Sequence, residues 1–299
     1  MKPLRQVRVL INPRAGQGFS FDHVRAVMDR VWDRPGIDLT YQFSHSIADG
    51  KRKTRQAVAQ GVDTILAVGG DGMVNSIGGE LVDKPIAFGV IPVGSGNGFA
   101  RHFGIPLNPE KAATALFESE RCPIDVGTAN GSPFFVTCSM AWDATIVRTF
   151  EKFPVRGILP YVFAAAYEFL GYLPQPFEVS IDNQEILHLV DPLVFTIANL
   201  TQYGGGARIA PKANPSDGYM ELVMMQRKHT AWLIANVGRL FDGTIYKMPN
   251  VVTRRFRQLD VQRKKAAPIQ MDGELVDAPA AVIVRVLPKA LTVLVPKKV

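Results

Sequence analysis

Three glycine-rich turns are the segments of this sequence whose residue types and spacing could do chemistry. They read Asn-Pro-Arg-Ala-Gly at residues 12–16, Gly-Gly-Asp-Gly at residues 69–72 and Gly-Ser-Gly-Asn-Gly at residues 94–98. Each follows an apolar run that predicts a β-strand. Glycine lets backbone N–H groups approach phosphate oxygens closely, and the N-terminus of a following helix adds favourable partial charge. The turns therefore predict a cradle for the phosphates of a nucleotide.

The apolar runs around these turns predict a parallel β-sheet. They are apolar at nearly every position rather than at alternate ones, which is typical of strands covered on both faces. Their residues are 7–11, 39–43, 64–68 and 86–91. Apolar side chains at helical spacing over Phe21–Trp32 predict a helix with Ser20 as its N-cap, and Asn108-Pro109 predicts the start of another. Because ligands of an open parallel sheet bind at the carboxyl ends of its strands, the turns should converge on one crevice.

Beyond residue 125 the pattern changes to short strand-like runs separated by turn signals, which predicts an antiparallel β-sandwich or open barrel. The clearest runs are residues 134–140, 177–181, 193–200, 220–225, 251–256 and 282–286. Asp182-Asn183 is a candidate hairpin turn, and helix-like segments cover residues 158–173 and 230–241. A last run, residues 291–295, predicts a strand that could return to the first domain.

The length of 299 residues predicts about two domains. We expect an α/β nucleotide-binding domain at residues 1–127, joined by a C-terminal strand within residues 289–299, and a β-sandwich domain at residues 128–288. The composition is that of a globular protein, with 47% apolar and 20% charged residues. The net charge of +7 suits an anionic substrate, a nucleotide or an acidic membrane surface.

Several classes of protein are excluded by what the sequence lacks. Two cysteines, Cys122 and Cys138, are too few for a disulfide scaffold and indicate a reducing compartment. The start of the chain lacks the apolar core of a signal peptide, and no run of about 18 apolar residues could span a membrane. The Walker P-loop, the Rossmann fingerprint in its usual setting, the protein kinase motifs and the common hydrolase and zinc-protease signatures are absent. We therefore expect a cytoplasmic protein without a nucleic-acid partner, and the sequence leaves a homodimer open.

Six segments, in order along the chain, resemble signatures of the diacylglycerol kinase catalytic domain superfamily. Residues 68–75 are similar to its Gly-Gly-Asp-Gly-Thr signature, and residues 91–101 are similar to its Pro-x-Gly-Thr-x-Asn-Asp-Phe-Ala-Arg signature. The Gly-Ser-Gly-Asn version of the second signature resembles that of sphingosine kinases. The other matches are Asn12-Pro13 with Gly16, Asp125-Val126-Gly127, Gly204-Gly205-Gly206 with Ile209-Ala210-Pro211 and Asp217-Gly218, and Met271-Asp272-Gly273-Glu274.

The resemblance implies a lipid kinase that uses ATP and Mg²⁺ to phosphorylate a hydroxyl of a membrane lipid. It implies an α/β nucleotide domain, a β-sandwich lipid domain and chemistry in the cleft between them. A sphingoid base, ceramide and diacylglycerol are the acceptors to consider, and the Gly-Ser-Gly-Asn turn favours a sphingoid-like lipid. Two alternatives stay open. One is a soluble acceptor, as for the NAD kinases that share the Gly-Gly-Asp-Gly turn, and the other is a non-catalytic nucleotide- or lipid-binding regulator.

Two aspartates are candidate general bases for the accepting hydroxyl, because a carboxylate is the natural base for this chemistry. The resemblance to bacterial diacylglycerol kinases favours Asp272, and the resemblance to sphingosine kinases favours Asp71. We expect Asp272 to act as the base and Asp71 to organise the nucleotide or Mg²⁺. The nucleotide contacts that the resemblance implies are Asn12, Arg14, Gly16, Gly69, Gly70, Gly72, Asn75, Gly94, Ser95, Gly96, Asn97 and Glu274.

Three further residues receive roles from the same resemblance. Asp125 is expected to hold a Mg²⁺–water network in the cleft, and Arg101 is expected to pair with Asp125 or with a substrate phosphate. Asp217 is a candidate ligand of a structural metal, although Ser216 stands where relatives often have a second acid. Met73 replaces the threonine that is usual in the first signature and so removes a hydroxyl from the phosphate turn.

Two segments suit a lipid substrate and a membrane. Ile158–Leu173 is apolar around most of its circumference, which is typical of a buried helix or of the wall of a lipid pocket. A basic strip that could meet anionic headgroups is formed by Arg254, Arg255, Phe256, Arg257, Arg263, Lys264 and Lys265. We therefore expect peripheral association with an anionic membrane.

Overall fold

The computed structural model describes residues 5–13, 20–142, 144, 173–226, 235–236 and 238–297. Arg14 and Gly16 of the first glycine turn lie outside the described residues, as does the helix-like segment 158–173 except for Leu173. The chain divides into two compact units. One comprises Met1–Ile124 with Lys289–Val299, and the other comprises Asp125–Pro288.

The first unit alternates strands and helices. In chain order they are β1 (Arg5–Ile11), α1 (Phe21–Trp32), β2 (Ile37–Phe43), α2 (Ile47–Ala59), β3 (Thr64–Gly69), α3 (Asp71–Gly78), β4 (Ala87–Pro92), α4 (Gly98–His102) and α5 (Pro109–Phe117). The strands pair in parallel in the spatial order β2, β1, β3, β4. Every residue of β3 and β4 is buried, as expected for strands that helices cover on both faces.

Local sequence explains where the helices of this unit begin and how they pack. Ser20 accepts a backbone N–H at the start of α1, and Asn108 does the same for α5, where Pro109 occupies the first turn. Both predicted N-caps are therefore confirmed. Trp32 is fully buried and donates a hydrogen bond from Nε1 to the Ala113 carbonyl at 3.0 Å, which ties α1 to α5.

The second unit is an antiparallel β-sandwich. Its elements are β5 (Glu120–Ala129), β6 (Ser132–Phe134), β7 (Thr137–Ser139), β8 (Phe177–Ile181), β9 (Glu185–Leu189), β10 (Pro192–Ala198), β11 (Met220–Gln226), α6 (Gly238–Asp242), a 3₁₀ turn (Ile245–Lys247), β12 (Val251–Phe256), β13 (Gln258–Arg263), β14 (Ile269–Met271), β15 (Glu274–Val276) and β16 (Ala281–Val295). Strands β5 and β16 each have one end in the first unit. One sheet has the order β12, β11, β10, β7, β14, β15, and the facing sheet includes β9, β8, β13 and the first part of β16.

The core of the second unit lies between its two sheets. Phe195 of β10 and Phe177 of β8 pack edge-to-face across it, with ring centroids 5.1 Å apart. The β8–β9 hairpin turns at Asp182 and Asn183, which have φ values of 50° and 57° in the left-handed region. The predicted hairpin and the predicted fold class, an α/β domain followed by a β-sandwich, are both confirmed.

Two predictions about strands are wrong. Residues 134–140, predicted as one strand, are split between β6 and β7, because the N–H groups of residues 135–137 donate to the Asp272 carboxylate instead of to a neighbouring strand. The runs at residues 282–286 and 291–295, predicted as two strands, form the single strand β16. Its first part pairs with β13 in antiparallel fashion, and its last part pairs with β4 in parallel.

Candidate active site

Two of the three glycine turns meet at the carboxyl ends of β3 and β4. Their backbones are in contact, since a Cβ added to Gly94 would lie 2.7 Å from the Cα of Gly70. The Val93 N–H also donates to the Gly69 carbonyl at 3.1 Å. Any side chain at Gly94 would push the turns apart, so glycine is required there for the approach.

Asp71 holds the second turn against the first. Its Oδ2 accepts the Gly98 N–H at 3.1 Å, and its Oδ1 accepts the Phe99 N–H at 3.2 Å, so that Asp71 caps the start of α4 from another element. Burial raises the pKa of the Asp71 carboxyl, and these backbone N–H groups oppose that shift because they stabilise the charged form. A single carboxylate thus connects both turns.

The second turn closes on its own asparagine. Asn97 has a left-handed backbone with φ 50°, its Oδ1 accepts the Gly94 N–H at 3.1 Å and its Nδ2 donates to the Gly94 carbonyl at 2.7 Å. Arg101 donates from Nε to the Gly96 carbonyl at 3.1 Å. Ser95 lies exposed at the tip. Asn97 and Arg101 therefore shape the turn, and Ser95 is the side chain that the turn presents.

Of the other described residues predicted to contact a nucleotide, Asn12, Gly72 and Asn75 lie around these turns. Asn12 follows β1, and its N–H donates to the carbonyl of the penultimate residue of β3 at 3.1 Å. Gly72 and Asn75 are half-buried in α3. Met73, in place of the usual threonine, is buried against Gly69, where an added Cβ would lie 2.6 Å from the Met73 Sδ.

In the second unit, Asp272 occupies the two-residue hairpin between β14 and β15. Asp272 and Gly273 have φ values of 50° and 91°, as a tight hairpin turn requires. The Asp272 carboxylate accepts the three consecutive N–H groups of residues 135–137 at distances between 2.7 and 3.1 Å, and the residue is 5% exposed. The carboxylate is therefore held in one position by three donors, and Glu274 follows half-buried at the start of β15.

Asp125 and Asp272 belong to one hydrogen-bond network, which passes through a residue that the sequence analysis missed. Asp125 is fully buried, and its Oδ2 accepts the Gly218 N–H at 2.6 Å. Asn199 donates from Nδ2 to the Asp125 carbonyl at 2.9 Å and to the Phe135 carbonyl at 3.0 Å. The Phe135 N–H in turn donates to Asp272. In the sequence, the feature that could have pointed to Asn199 is its position shortly before the Gly204-Gly205-Gly206 segment.

Comparison with known families identifies the chain. A family model described as the diacylglycerol kinase catalytic domain matches residues 6–129. A second model, described as the YegS C-terminal NAD kinase beta sandwich-like domain, matches residues 137–295, which is more than half of the chain. The chain belongs to the diacylglycerol kinase family of lipid kinases. The resemblance drawn from the sequence is confirmed, and the protein is an enzyme, a kinase whose acceptor is an alcohol group.

Relatives of this lipid kinase match it over most of their length. A diacylglycerol kinase from Mycobacterium tuberculosis is 28% identical, and the match covers 98% of this chain and 96% of the relative. A probable YegS-like lipid kinase from Chromohalobacter salexigens is 28% identical, with coverage of 87% and 84%. The crystal structure of a putative diacylglycerol kinase from Bacillus anthracis is similar in fold, with a TM-score of 0.79 at 19% identity over 99% of both chains.

Asp217 of this lipid kinase is paired with an arginine. Its Oδ2 accepts a hydrogen bond from Arg255 Nη2 at 2.5 Å, and its Oδ1 accepts the Tyr219 N–H at 3.1 Å. In the part of the chain that the structure describes, no three acidic, histidine or cysteine side chains form a metal site. A metal at Asp217 stays a prediction. Among the same residues, no helix is long and apolar enough to cross a bilayer.

Proposed function

We propose that this enzyme transfers the γ-phosphoryl group of ATP, in the presence of Mg²⁺, to a hydroxyl of a membrane lipid. The observation that carries the proposal is the pair of contacting glycine turns that Asp71 joins at the carboxyl ends of β3 and β4. Helix α3 begins at the first of these turns, and the N–H groups at the start of a helix suit phosphate oxygens. When bound there, ATP supplies the phosphoryl group and Mg²⁺ neutralises its charge.

The residues at the turns fit Mg²⁺ held jointly by phosphates and protein. Mg²⁺ is usually bound by one or two carboxylates together with substrate phosphates rather than by an all-protein cage. Asp71 is the half-buried carboxylate at the turns. A cation next to it would favour the charged form of a group whose pKa burial raises.

We propose Asp272 as the general base and Asp71 as the residue that organises the nucleotide. A base must be held at the proton that it removes. The three N–H donors of residues 135–137 hold Asp272, and Asn199 ties the same segment to Asp125. Asp71 is instead engaged with the start of α4, which shapes the second glycine turn.

The test is transfer of label from γ-labelled ATP to lipids in mixed micelles, with NAD as the soluble acceptor. We expect Asp272→Asn to lower kcat by about 10²–10⁴-fold while ATP affinity is kept. We expect Asp71→Asn to weaken ATP binding, because an amide NH₂ cannot accept the N–H groups of α4. The matched control is Asp182→Asn: this aspartate is also left-handed in a hairpin, and its Oδ1 accepts two backbone N–H groups, at 2.7 and 2.9 Å.

Each outcome separates the roles. Equal losses in Asp182→Asn and Asp272→Asn would show that the carboxylate at Asp272 serves the fold. An Asp71→Asn enzyme that binds ATP normally but has lost kcat would make Asp71 the base. Transfer of label to NAD alone would show that the acceptor is soluble rather than a lipid. No label in any acceptor would contradict the proposal.

Among lipids, we propose diacylglycerol as the acceptor. Relatives named diacylglycerol kinase, from Mycobacterium tuberculosis and Bacillus subtilis, match 98% and 91% of the chain. The Gly-Ser-Gly-Asn turn favours a sphingoid-like lipid on sequence grounds, but Asn97 closes this turn on Gly94, so its composition is explained by the turn itself. Label in a sphingoid base or ceramide but not in diacylglycerol would overturn this choice.

We also propose that the enzyme contacts an anionic membrane. Fewer cations of the predicted basic strip are available for this contact than the sequence indicated. Arg263 and Phe256 are buried, so the predicted basic strip is not continuous. Arg254 is paired with Glu185, and Arg255 is paired with Asp217 and Glu221. Arg257, Lys264 and Lys265 are exposed. Sedimentation with vesicles of rising anionic lipid content measures the contact. A bound fraction that does not depend on the anionic lipid content would contradict the proposal.

A further inference from the structure

Arg263 is an arginine buried in the β-sandwich with part of its guanidinium group unsatisfied. It is the last residue of β13 and is 1% exposed. Its Nη2 donates to the carbonyl oxygens of Ala278 and Pro279 at 3.2 and 2.6 Å. Its Nε and Nη1 are buried and donate no hydrogen bond within the described residues. Buried polar groups nearly always have a partner, so these N–H groups call for one.

Within the described residues, no carboxylate forms an ion pair with Arg263. Leu259 and Val261, at alternate positions of β13, belong to the apolar core between the sheets, which places the Arg263 side chain on the same inward face. Burial lowers the pKa of the guanidinium, and the ionisable group that opposes this is the thiol of Cys138 rather than a carboxylate. Arginine nevertheless keeps its proton in proteins. A cation buried without a counter-charge favours the entry of an anion.

A cavity of about 290 Å³ opens beside Arg263 at the ends of β8, β9 and β13. Its apolar lining consists of Pro176, Phe177, Leu189 and Val190. Lys264 adds a second positive charge to the lining, and the Glu178 carboxylate that also lines it lies 3.7 Å from His188 Nδ1. The volume is at the lower end of the range for small-molecule sites and suits a short stretch of hydrocarbon chain.

We propose that Arg263 binds the anionic headgroup oxygen of an amphiphile whose hydrocarbon chain occupies this cavity. Nε and Nη1 are covered in the structure, so the guanidinium must turn toward the cavity before a carboxylate or phosphate oxygen accepts a charge-assisted hydrogen bond from it. The chain would remove apolar surface of the cavity from water. One molecule thus satisfies both the polar and the apolar features of the site. The proposal does not depend on the assignment of the phosphoryl-transfer residues, because it concerns binding alone.

The test is calorimetric titration of the full chain with four probes. Decanoate and dihexanoyl phosphatidate carry a charge and a chain, inorganic phosphate carries only a charge, and decanol carries only a chain. We expect the two anionic amphiphiles to bind most tightly. In Arg263→Gln, decanoate should bind roughly tenfold more weakly, the effect of losing one hydrogen bond to a charged group. Arg285→Gln is the matched control, since Arg285 is exposed on β16 and lies outside the lining, and this variant should bind decanoate normally.

Several results would overturn the proposal. Phosphate binding as tightly as decanoate would make this a site for free anions, and decanol binding as tightly would remove any role for the charge. Unchanged affinity in Arg263→Gln, or no binding of any probe, would also overturn it. Because Arg263→Gln could disturb the fold, a crystal of the unaltered chain with bromine-labelled decanoate is the second measurement. Carboxylate density at Arg263 would support the site, and bromine confined to other places would refute it.

Discussion

Asp71, Asp182 and Asp272 of this kinase each accept two or more backbone N–H groups. Asp71 accepts them from α4, Asp272 from residues 135–137, and Asp182 from the start of β13 and the residue before it. The same hydrogen-bonding arrangement therefore occurs both at the candidate catalytic residues and at a hairpin to which we assign no catalytic role. Engagement with backbone N–H groups does not by itself distinguish a catalytic aspartate from a structural one, which is why Asp182→Asn is the informative control.

His102, at the end of α4, predicts a dependence of stability on pH. Burial lowers the pKa of its imidazole from 6.5 to about 4. The unfolded chain takes up this proton near pH 6.5 and the folded chain only near pH 4, so the contribution to stability is complete above pH 6.5 and is lost as the pH falls toward 4. We expect a loss of up to about 3 kcal/mol in the free energy of unfolding across that window.

Denaturant unfolding at a series of pH values measures the effect of His102. His102→Gln should unfold with a shallower pH dependence between 6.5 and 4. The control is His188→Gln, whose parent side chain is 71% exposed and lies in the other unit. Identical pH dependence in the two variants would count against the buried imidazole as the cause.

Single residues were predictable where a short motif carried them. Asp71 and Asp272 were found because glycines flank them in recognisable turns. Asn97 was expected to contact a nucleotide, yet its amide closes the turn on Gly94, a distinction that spacing alone does not contain. Arg263 was counted with exposed lysines because the sequence around it is basic, whereas the alternation of β13 turns its side chain inward.

At the scale of elements, the contact between the two glycine turns gives a direct prediction. In Gly94→Ala the new Cβ would lie 2.7 Å from the Gly70 Cα and 2.9 Å from Asn97 Oδ1, so the turns must separate. Overpacking of this kind costs about 1–3 kcal/mol of stability. We expect ATP affinity, measured by calorimetry, to fall at least roughly tenfold as backbone contacts to phosphate are lost.

Gly238→Ala is the matched control for this substitution. Gly238 opens α6, and an added Cβ there would meet nothing within 4 Å. It should bind ATP as the unaltered enzyme does. A Gly94→Ala enzyme with normal ATP affinity would show that the close approach of the turns is unnecessary for the nucleotide.

Elements whose signals are local were predictable, and elements shaped by distant partners were not. The caps of α1 and α5 and the hairpin at Asp182-Asn183 follow from neighbouring residues. The break between β6 and β7 depends on an aspartate 135 to 137 positions further along the chain. No periodicity within residues 134–140 could have shown that their N–H groups donate to a side chain.

At the scale of the whole molecule, the two units have separate hydrophobic cores. We expect Phe195→Ala, in the core of the sandwich, to cost about 3–5 kcal/mol and to speed amide hydrogen exchange in the second unit. The matched substitution is Phe88→Ala, in fully buried β4, which should speed exchange in the first unit. If either variant speeds exchange uniformly through the chain, the units unfold together and this prediction is wrong.

The fold class was predictable at this scale because the hydrophobic pattern itself changes along the chain. In the sequence, continuously apolar runs are followed by short runs separated by turn signals. In the structure, the first kind of run forms the parallel strands of the first unit, and the second kind forms the antiparallel strands of the second unit. We expected the last strand to return to the first domain, but the sequence does not show which strand it pairs with, and that partner is β4.

The route of β16 has a consequence for biosynthesis. Thr292 and Val293 pair with Ala87 and Phe88, so the first unit acquires this strand only after the second unit has been synthesised. Domains usually fold in the order in which they are made. In this chain the first unit is made early, and its β4 edge stays unpaired until β16 is synthesised. An open strand edge is prone to pair with other chains. The nascent kinase therefore carries an open β4 edge throughout the synthesis of the second unit.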